Sequence, residues 1–206
     1  MIKLKITQSI KKQIMQTTFF FKVSLAAFTS LFLLSACQST ENKDPKNVAE
    51  EHNEAKFDKV AEKDAQSVVE AYTIGLYEIR MADTVKKYGT SAGIKSMAAM
   101  LGDEHSKIND ELKVLAAKKQ ITLPTDISSN QLSNIKELGN ENRVDFDKKY
   151  ANIILNNHKD AVSMFEKYAE ECTDKDIKKW FATALPELRN HLDMIMTNER
   201  KMKEIK

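Results

Sequence analysis

From about residue 64 onward, apolar residues recur in alternating steps of three and four, the spacing that lays a single stripe along an α-helix. Four such stripes can be followed. The first, over Asp64 to Tyr88, reads Ala71, Gly75, Glu78, Ala82, Val85; the second, over Ala92 to Lys118, reads Ile94, Met97, Leu101, His105, Ile108, Leu112, Leu115. A third, over Glu141 to Glu171, reads Ala151, Ile154, His158, Ala161, Phe165, Tyr168, Cys172, and a fourth, from a cap at Thr173 or Asp174 to the C-terminus, reads Ile177, Phe181, Ala184, Leu188, His191, Ile195. Helices striped in this way pack antiparallel at about 20° in a four-helix bundle. The expected fold is therefore all-α, with one bundle domain over 63–206.

The punctuation agrees with this reading. Gly89 is a plausible stop for the first helix, and Thr90 or Ser91 a plausible cap for the second. Between the second and third helices lies ITLPTDISSN, where Leu123-Pro124 ends regular structure and Ser128 or Ser129 is expected to open a short helix through Leu138. A connection that long can cross the bundle instead of merely turning. Pro186 is expected to kink the fourth helix, because proline removes a backbone hydrogen bond.

Each stripe is broken once by a side chain able to bind a metal: Glu78, His105, His158 and His191. With a rise of about 1.5 Å per residue, Glu78 and His105 fall about 15 and 20 Å from the first turn, and His158 and His191 about 20 and 26 Å from the last. All four are thus expected near mid-bundle, at a height that fits simple up-and-down connectivity and a crossover equally well. Burying four polar groups is costly unless they satisfy one another. Two arrangements would do so: a cation held by three imidazoles and a carboxylate, a set that suits Zn, Fe, Mn or Cu, or a metal-free network in which Glu78 accepts hydrogen bonds from the histidines. Glu104, Asn109, Glu166 and Glu187 lie where they could orient the rings. Each of these, taken alone, also reads as part of a solvated face. Met81, Met97, Met100, Met164, Met194 and Met196 could offer copper soft sulfur ligands, though such residues more often serve as adaptable core packing.

The first 36 residues follow a different rule. Their only charges are Lys3, Lys5, Lys11, Lys12 and Lys22, and the apolar run Val23 to Leu34 leads into Leu34-Ser35-Ala36-Cys37. A run of a dozen is short for a membrane-spanning helix, which needs roughly 20 residues. Residues 1–36 are read as an export signal. LSAC resembles the lipobox of bacterial lipoproteins, which implies lipidation of Cys37 as the new N-terminus and stable anchoring by more than one acyl chain. Gln38 and Ser39 follow, without the Asp that would resemble an inner-membrane retention signal, so the outer membrane is the expected destination if the host has one, facing periplasm or surface. The polar, proline-containing stretch 37–62 reads as a lipidated cysteine and flexible tether, with His52 a solvated residue within it.

Losing the signal reverses the charge balance. Its five lysines leave 27 of the 32 Lys and Arg against all 30 Asp and Glu, a net charge of −3. Nucleic acid, which wants a concentrated basic face, is not an expected partner. With Cys37 lipidated, Cys172 alone remains, so no intrachain disulfide is expected.

Longer stretches carry a family resemblance. GLYEIRMADTVKKYGTSAGIKSMAAMLGDEHSKINDELKVLAAKKQITLP, FDKKYANIILNNHKDAVSMFE and ALPELRNHLDM resemble the bacterial exported family called domain of unknown function 4142, over about Asp64 to Met196. The matching features are Glu78, the Glu104-His105 pair with Asn109, the loop Lys118-Lys119-Gln120-Ile121 followed by Leu123-Pro124, His158 with Phe165, and Leu185 to Leu192. Gln120 stands where the family usually has glycine. The family is similar to ferritin-like proteins, which implies a bundle with a long connection between helices two and three. It implies little about function. Ferritin-like di-iron centres use Glu-x-x-His on two helices, yet Gly102 and Leu188 stand three residues before His105 and His191. A mononuclear or histidine-rich centre is the expected form of any metal site. The sequence thus supports a lipid-anchored envelope protein that handles or senses a transition metal, with a metal-free structural or interaction lipoprotein as the alternative. No nucleophilic triad, nucleotide loop or paired-carboxylate motif points to an enzyme.

Overall fold

The computed structural model describes residues 43–204. Among the described residues six helices follow one another: α1 Pro45–Glu54, α2 Lys59–Tyr88, α3 Ala92–Lys119, α4 Ser129–Gly139, α5 Arg143–Glu171 and α6 Lys175–Glu204. Local chemistry explains most of the boundaries. The Asp58 side chain caps α2 by accepting from the amides of Val60 and Ala61, and Ser91 caps α3 by accepting from Ile94. Ser128 and Gln131 form a reciprocal capping box on α4. Asp174 accepts from the Asp176 and Ile177 amides at the start of α6. Gly89 caps α2 with φ −55°, so the position does not require glycine's left-handed freedom. α6 runs through Pro186 as one element.

Helices α2, α3, α5 and α6 form the bundle, and two aspartates reveal its connectivity. Asp147, near the start of α5, accepts hydrogen bonds from the Thr90 amide, the Thr90 hydroxyl and the Ser91 amide, at 2.9, 2.7 and 2.8 Å. This puts the start of α5 beside the α2–α3 turn. Asp64, near the start of α2, accepts from the Thr173 amide and hydroxyl and the Asp174 amide, at 3.0, 2.7 and 2.7 Å. The α5–α6 turn therefore lies beside the start of α2. It follows that α5 runs parallel to α3, and that the connection carrying α4 crosses the length of the bundle. On the way α4 packs against α2 and α5.

The stretch 37–62, expected as a tether, is ordered where it is described. Pro45 begins a helix capped by Asp44, and α2 already starts at Lys59. What secures α1 is distant in sequence: the buried Asn53 donates to the Thr122 carbonyl at 2.9 Å and accepts from the Thr122 amide at 2.8 Å. His52 is exposed, as expected. The signal over 1–36 and Cys37 lie outside the described residues. Among the described residues no helix is long and apolar enough to cross a membrane.

The hydrophobic core is divided into two clusters. One contains Tyr72, Ile108, Leu112, Ala161, Phe165 and Leu188; the other contains Met81, Leu101, Phe146, Ile154 and Ile195. On three helices the division falls at a histidine: His105 lies between Leu101 and Ile108, His158 between Ile154 and Ala161, His191 between Leu188 and Ile195. On α2 it falls between Tyr72 and Tyr77, immediately before Glu78. The stripe interruptions thus form one polar layer across the middle of the bundle.

Candidate metal centre

All four residues of this layer are buried, Glu78 at 2% exposure and His158 at 0%. The imidazoles form a near-equilateral triangle, with ring centroids 5.4, 5.5 and 5.6 Å apart and each pair tilted by 62–68°. One ring nitrogen from each of His105, His158 and His191 lies within 4.8 Å of the other two. Nε2 of His105 and Nε2 of His158 are 3.4 Å apart, close to the roughly 3.3 Å that separates two nitrogens bound tetrahedrally at about 2.05 Å from a zinc ion. Glu78 completes the group, with Oε2 2.8 Å from His105 Nε2 and Oε1 3.4 Å from His158 Nδ1.

The 2.8 Å contact is an ion pair with His105 in which the hydrogen-bond geometry is poor, so Glu78 keeps unused acceptor capacity. Among the described residues, four buried side-chain polar atoms have no hydrogen-bond partner: both Glu78 oxygens, His191 Nδ1 and Asn109 Oδ1. All four atoms are potential acceptors or lone-pair donors, and three belong to the four-residue layer.

The ring orientations are fixed from outside the cluster. His158 Nδ1 is 3.1 Å from the Ile154 carbonyl; donating there leaves its Nε2 with a free lone pair. His191 Nε2 is 2.5 Å from Glu104 Oε2, and donating there leaves a lone pair on the orphaned Nδ1. Burial pushes the His158 and His191 rings toward the neutral, ligand-competent form, and this outweighs the nearby carboxylates. For His105, burial pulls down but Glu78 beside it pulls up more strongly, so its pKa rises. Burial likewise raises the Glu78 carboxyl, and the neighbouring His105 and His158 more than reverse this.

The residues expected to support the cluster divide. Glu104 holds His191 directly, and Glu187 joins these two, with one ligand atom from each of the three within 4.8 Å of the others. Asn109 donates to the Tyr72 carbonyl at 3.2 Å instead of to a histidine. It sits over Gly75, where a Cβ would come within 2.2 Å of Asn109 Oδ1. Glu166 is not part of the cluster; it forms an exposed pair with Arg189 at 2.7 Å. Position 102, three residues before His105, has no room for a larger side chain, since a Cβ on Gly102 would lie 2.8 Å from the Ala82 Cβ. Glycine at 75 and 102 lets α2 and α3 approach closely, a role that sequence spacing did not reveal.

Cys172 lies at the end of the bundle beside Ser67 and near Asp64, away from this layer. Burial pushes its thiol up to about 11, so it stays protonated and unreactive.

The fold is similar to that in the crystal structure of a DUF305 fragment from Deinococcus radiodurans, with a TM-score of 0.59, 9% identity, and coverage of 67% of this chain and 95% of that one. No curated protein matches the chain. The crossover, the motifs around Glu78, His105, His158 and His191 and all of the helical bundle but the end of α6 lie within residues 49–197, which match the family described as Domain of unknown function (DUF4142), and the chain belongs to that family.

Proposed function

We propose that this is a lipid-anchored protein of the cell envelope whose bundle binds a transition-metal ion through His105, His158, His191 and Glu78, in metal handling or sensing. The observation that carries the reading is Glu78: a carboxylate at 2% exposure, among three imidazoles, with neither oxygen aligned to a donor. A buried carboxylate is costly unless it is fully compensated; its close contact with His105 at 2.8 Å compensates it in part, and a divalent cation would satisfy it together with the lone pairs of His158 and His191. Three imidazoles and one carboxylate suit Zn²⁺ or Fe²⁺, with copper also accommodated. The anchoring half of the proposal rests on the lysine-bearing apolar leader and on LSAC ending at Cys37.

Metal analysis of the purified chain tests the centre. The expected result is about one ion per chain bound tightly, and loss of that ion in His105→Ala and Glu78→Gln. Absence of uptake on titration with Zn²⁺, Fe²⁺ and Cu²⁺ by folded protein would overturn it. Labelling with a radioactive fatty acid, lost in Cys37→Ser, tests the anchor.

A second reading has its own support, because Glu78 Oε2 approaches His105 Nε2 to 2.8 Å. In that reading a protonated His105 neutralises Glu78, and the layer only specifies the packing of a structural lipoprotein. It predicts that His105→Ala lowers stability equally with and without added metal.

A further inference from the structure

Where α4 lies against α2 and α5, it buries Ile135 and Leu138 in the core but leaves two cavities beside them, of about 510 and 330 Å³. Both volumes fall in the range usual for ligand pockets, about 300–1,000 Å³. Gln131 lines both, so the two meet at the first turn of α4. On α5 the shared lining runs from Lys149 to Met164, a distance of about 22 Å along the helix. We infer that this groove binds a neutral glycan strand through the side-chain amides of α4 and α5.

The lining chemistry is the first support. Four carboxamides border the groove, Asn130, Gln131 and Asn134 from α4 and Asn157 from α5, where a seam between packed helices is ordinarily apolar. Each carboxamide both donates and accepts, which complements the hydroxyl and acetamido groups of a sugar chain. Asn157 is half-buried, yet its amide has no hydrogen-bond partner among the described residues. Ile74, Ile153 and Met164 lie between the polar groups and offer apolar surface to the C–H faces of sugar rings.

Charge is the second support. Lys46 lies 3.9 Å from Glu70, and Lys149 lies 2.7 Å from Glu141. Neither lysine is therefore left to draw in an anionic strand, which would also meet Asp44 and Glu137. Shape is the third, because two joined cavities open along a helix suit a chain better than a single small molecule. An exported protein meets neutral strands of N-acetylated sugars in the cell wall. Only that choice of source rests on the anchoring reading, and the groove is independent of the metal centre.

The test is titration of the full-length chain in detergent with the tetramer of N-acetylglucosamine and, separately, with the tetramer of glucose. Calorimetry gives the affinity, and NMR follows the side-chain amides. The expected result is saturable binding of the first tetramer, with the Asn134 and Asn157 amide signals moving. Asn134→Ala and Asn157→Ala should each weaken it about fivefold or more, while Glu166→Gln, on the exposed pair with Arg189, should bind as wild type does. Binding of the glucose tetramer alone, weakened by the same two substitutions, upholds the groove as a glycan site and removes the wall as its source. Saturable binding of neither tetramer overturns the inference, as does binding that both alanine variants retain in full with the amide signals unmoved. Capture of a neutral extended peptide in place of both tetramers also overturns it. Glycan binding that persists in a chain without lipid labelling would remove the anchoring reading and leave the groove standing.

Discussion

Asp64 and Asp147 do the same work at opposite ends of the bundle. Asp64, on the first helical hairpin, accepts two backbone amides and a threonine hydroxyl from the turn of the second; Asp147, on the second hairpin, accepts the corresponding three groups from the turn of the first. Each hairpin thus holds the other by its turn. Both aspartates are largely buried, at 5% and 7% exposure, and each satisfies amides that a helix start leaves without intrahelical partners. The reciprocal clasp sets α3 parallel to α5, and that in turn fixes the height at which His105 and His158 meet.

Asp147→Asn should therefore destabilise the fold by roughly 2 kcal/mol, as expected for loss of charge-assisted hydrogen bonds in a protected setting. For a domain of this size that is a fall in Tm of about 4–8 °C. Burial raises the Asp147 carboxyl, but the hydrogen bonds from Thr90 and Ser91 outweigh it and hold its pKa below the usual range. The folded pKa lies below the unfolded one, so the stabilisation is complete above the ordinary carboxylate pKa and is lost as pH falls through the folded value. Urea titrations from pH 7 down to pH 3 should show wild type losing its advantage over Asp147→Asn in the acid part of the range. A constant gap at every pH would contradict the assignment.

Gln120 is the one described non-glycine residue with positive φ, at 58°. It ends α3 in the left-handed conformation, with its amide bonded back to Ala116 and Ala117 and the next amide, of Ile121, bonded to Ala116 at 2.8 Å. Glycine adopts this conformation without a Cβ clash. Since the Gln120 side chain is exposed, Gln120→Gly should stabilise by about 0.5–1 kcal/mol. Chemical denaturation would show this as a higher midpoint with unchanged slope.

Gly102→Ala should cost stability although alanine is the better helix former. The new Cβ would meet the Ala82 Cβ at 2.8 Å, two rigid backbone-attached carbons with no flexible end to yield. Overpacking of this kind costs about 1–3 kcal/mol, more than the ~1 kcal/mol gained in helix propensity. The exchange Ala82→Gly with Gly102→Ala restores the space and should recover most of the loss. If the pair proves additive, the contact is not the cause.

Much of this was legible in the sequence because helices announce themselves locally. The caps at Ser91 and Ser128, and the stripes around Glu78, His105, His158 and His191, depend on residues within a turn or two of each other. What escaped depends on partners far along the chain. α1 is polar and short, and its position is secured by Asn53 reaching a residue 69 positions away. The crossover was undecidable from heights, since mid-helix residues meet under either connectivity, and Asp64 and Asp147 read as ordinary charged positions. Glu166 and Glu104 looked equivalent as supports, yet one faces Arg189 in solvent and the other His191. Helical phase separates them only once neighbouring helices are in place.

The polar layer makes a final prediction about stability. Without a cation, the orphaned Glu78 oxygens and His191 Nδ1 are a cost the fold carries; with one, binding adds its free energy to the folded state alone. At a hundredfold excess over Kd, this amounts to about 2.7 kcal/mol, or a rise in Tm of roughly 5–10 °C. Melting with EDTA and then with Zn²⁺ should show that rise in wild type and not in His158→Ala. The control is Asp147→Asn, which should melt lower than wild type in both conditions yet gain as much on adding metal, because it weakens the clasp at the turn and not the layer. A metal effect equally large in His158→Ala would place the stabilising ion elsewhere on the protein. The absence of any effect in wild type would leave the pairing of Glu78 with a protonated His105 as the account of the layer.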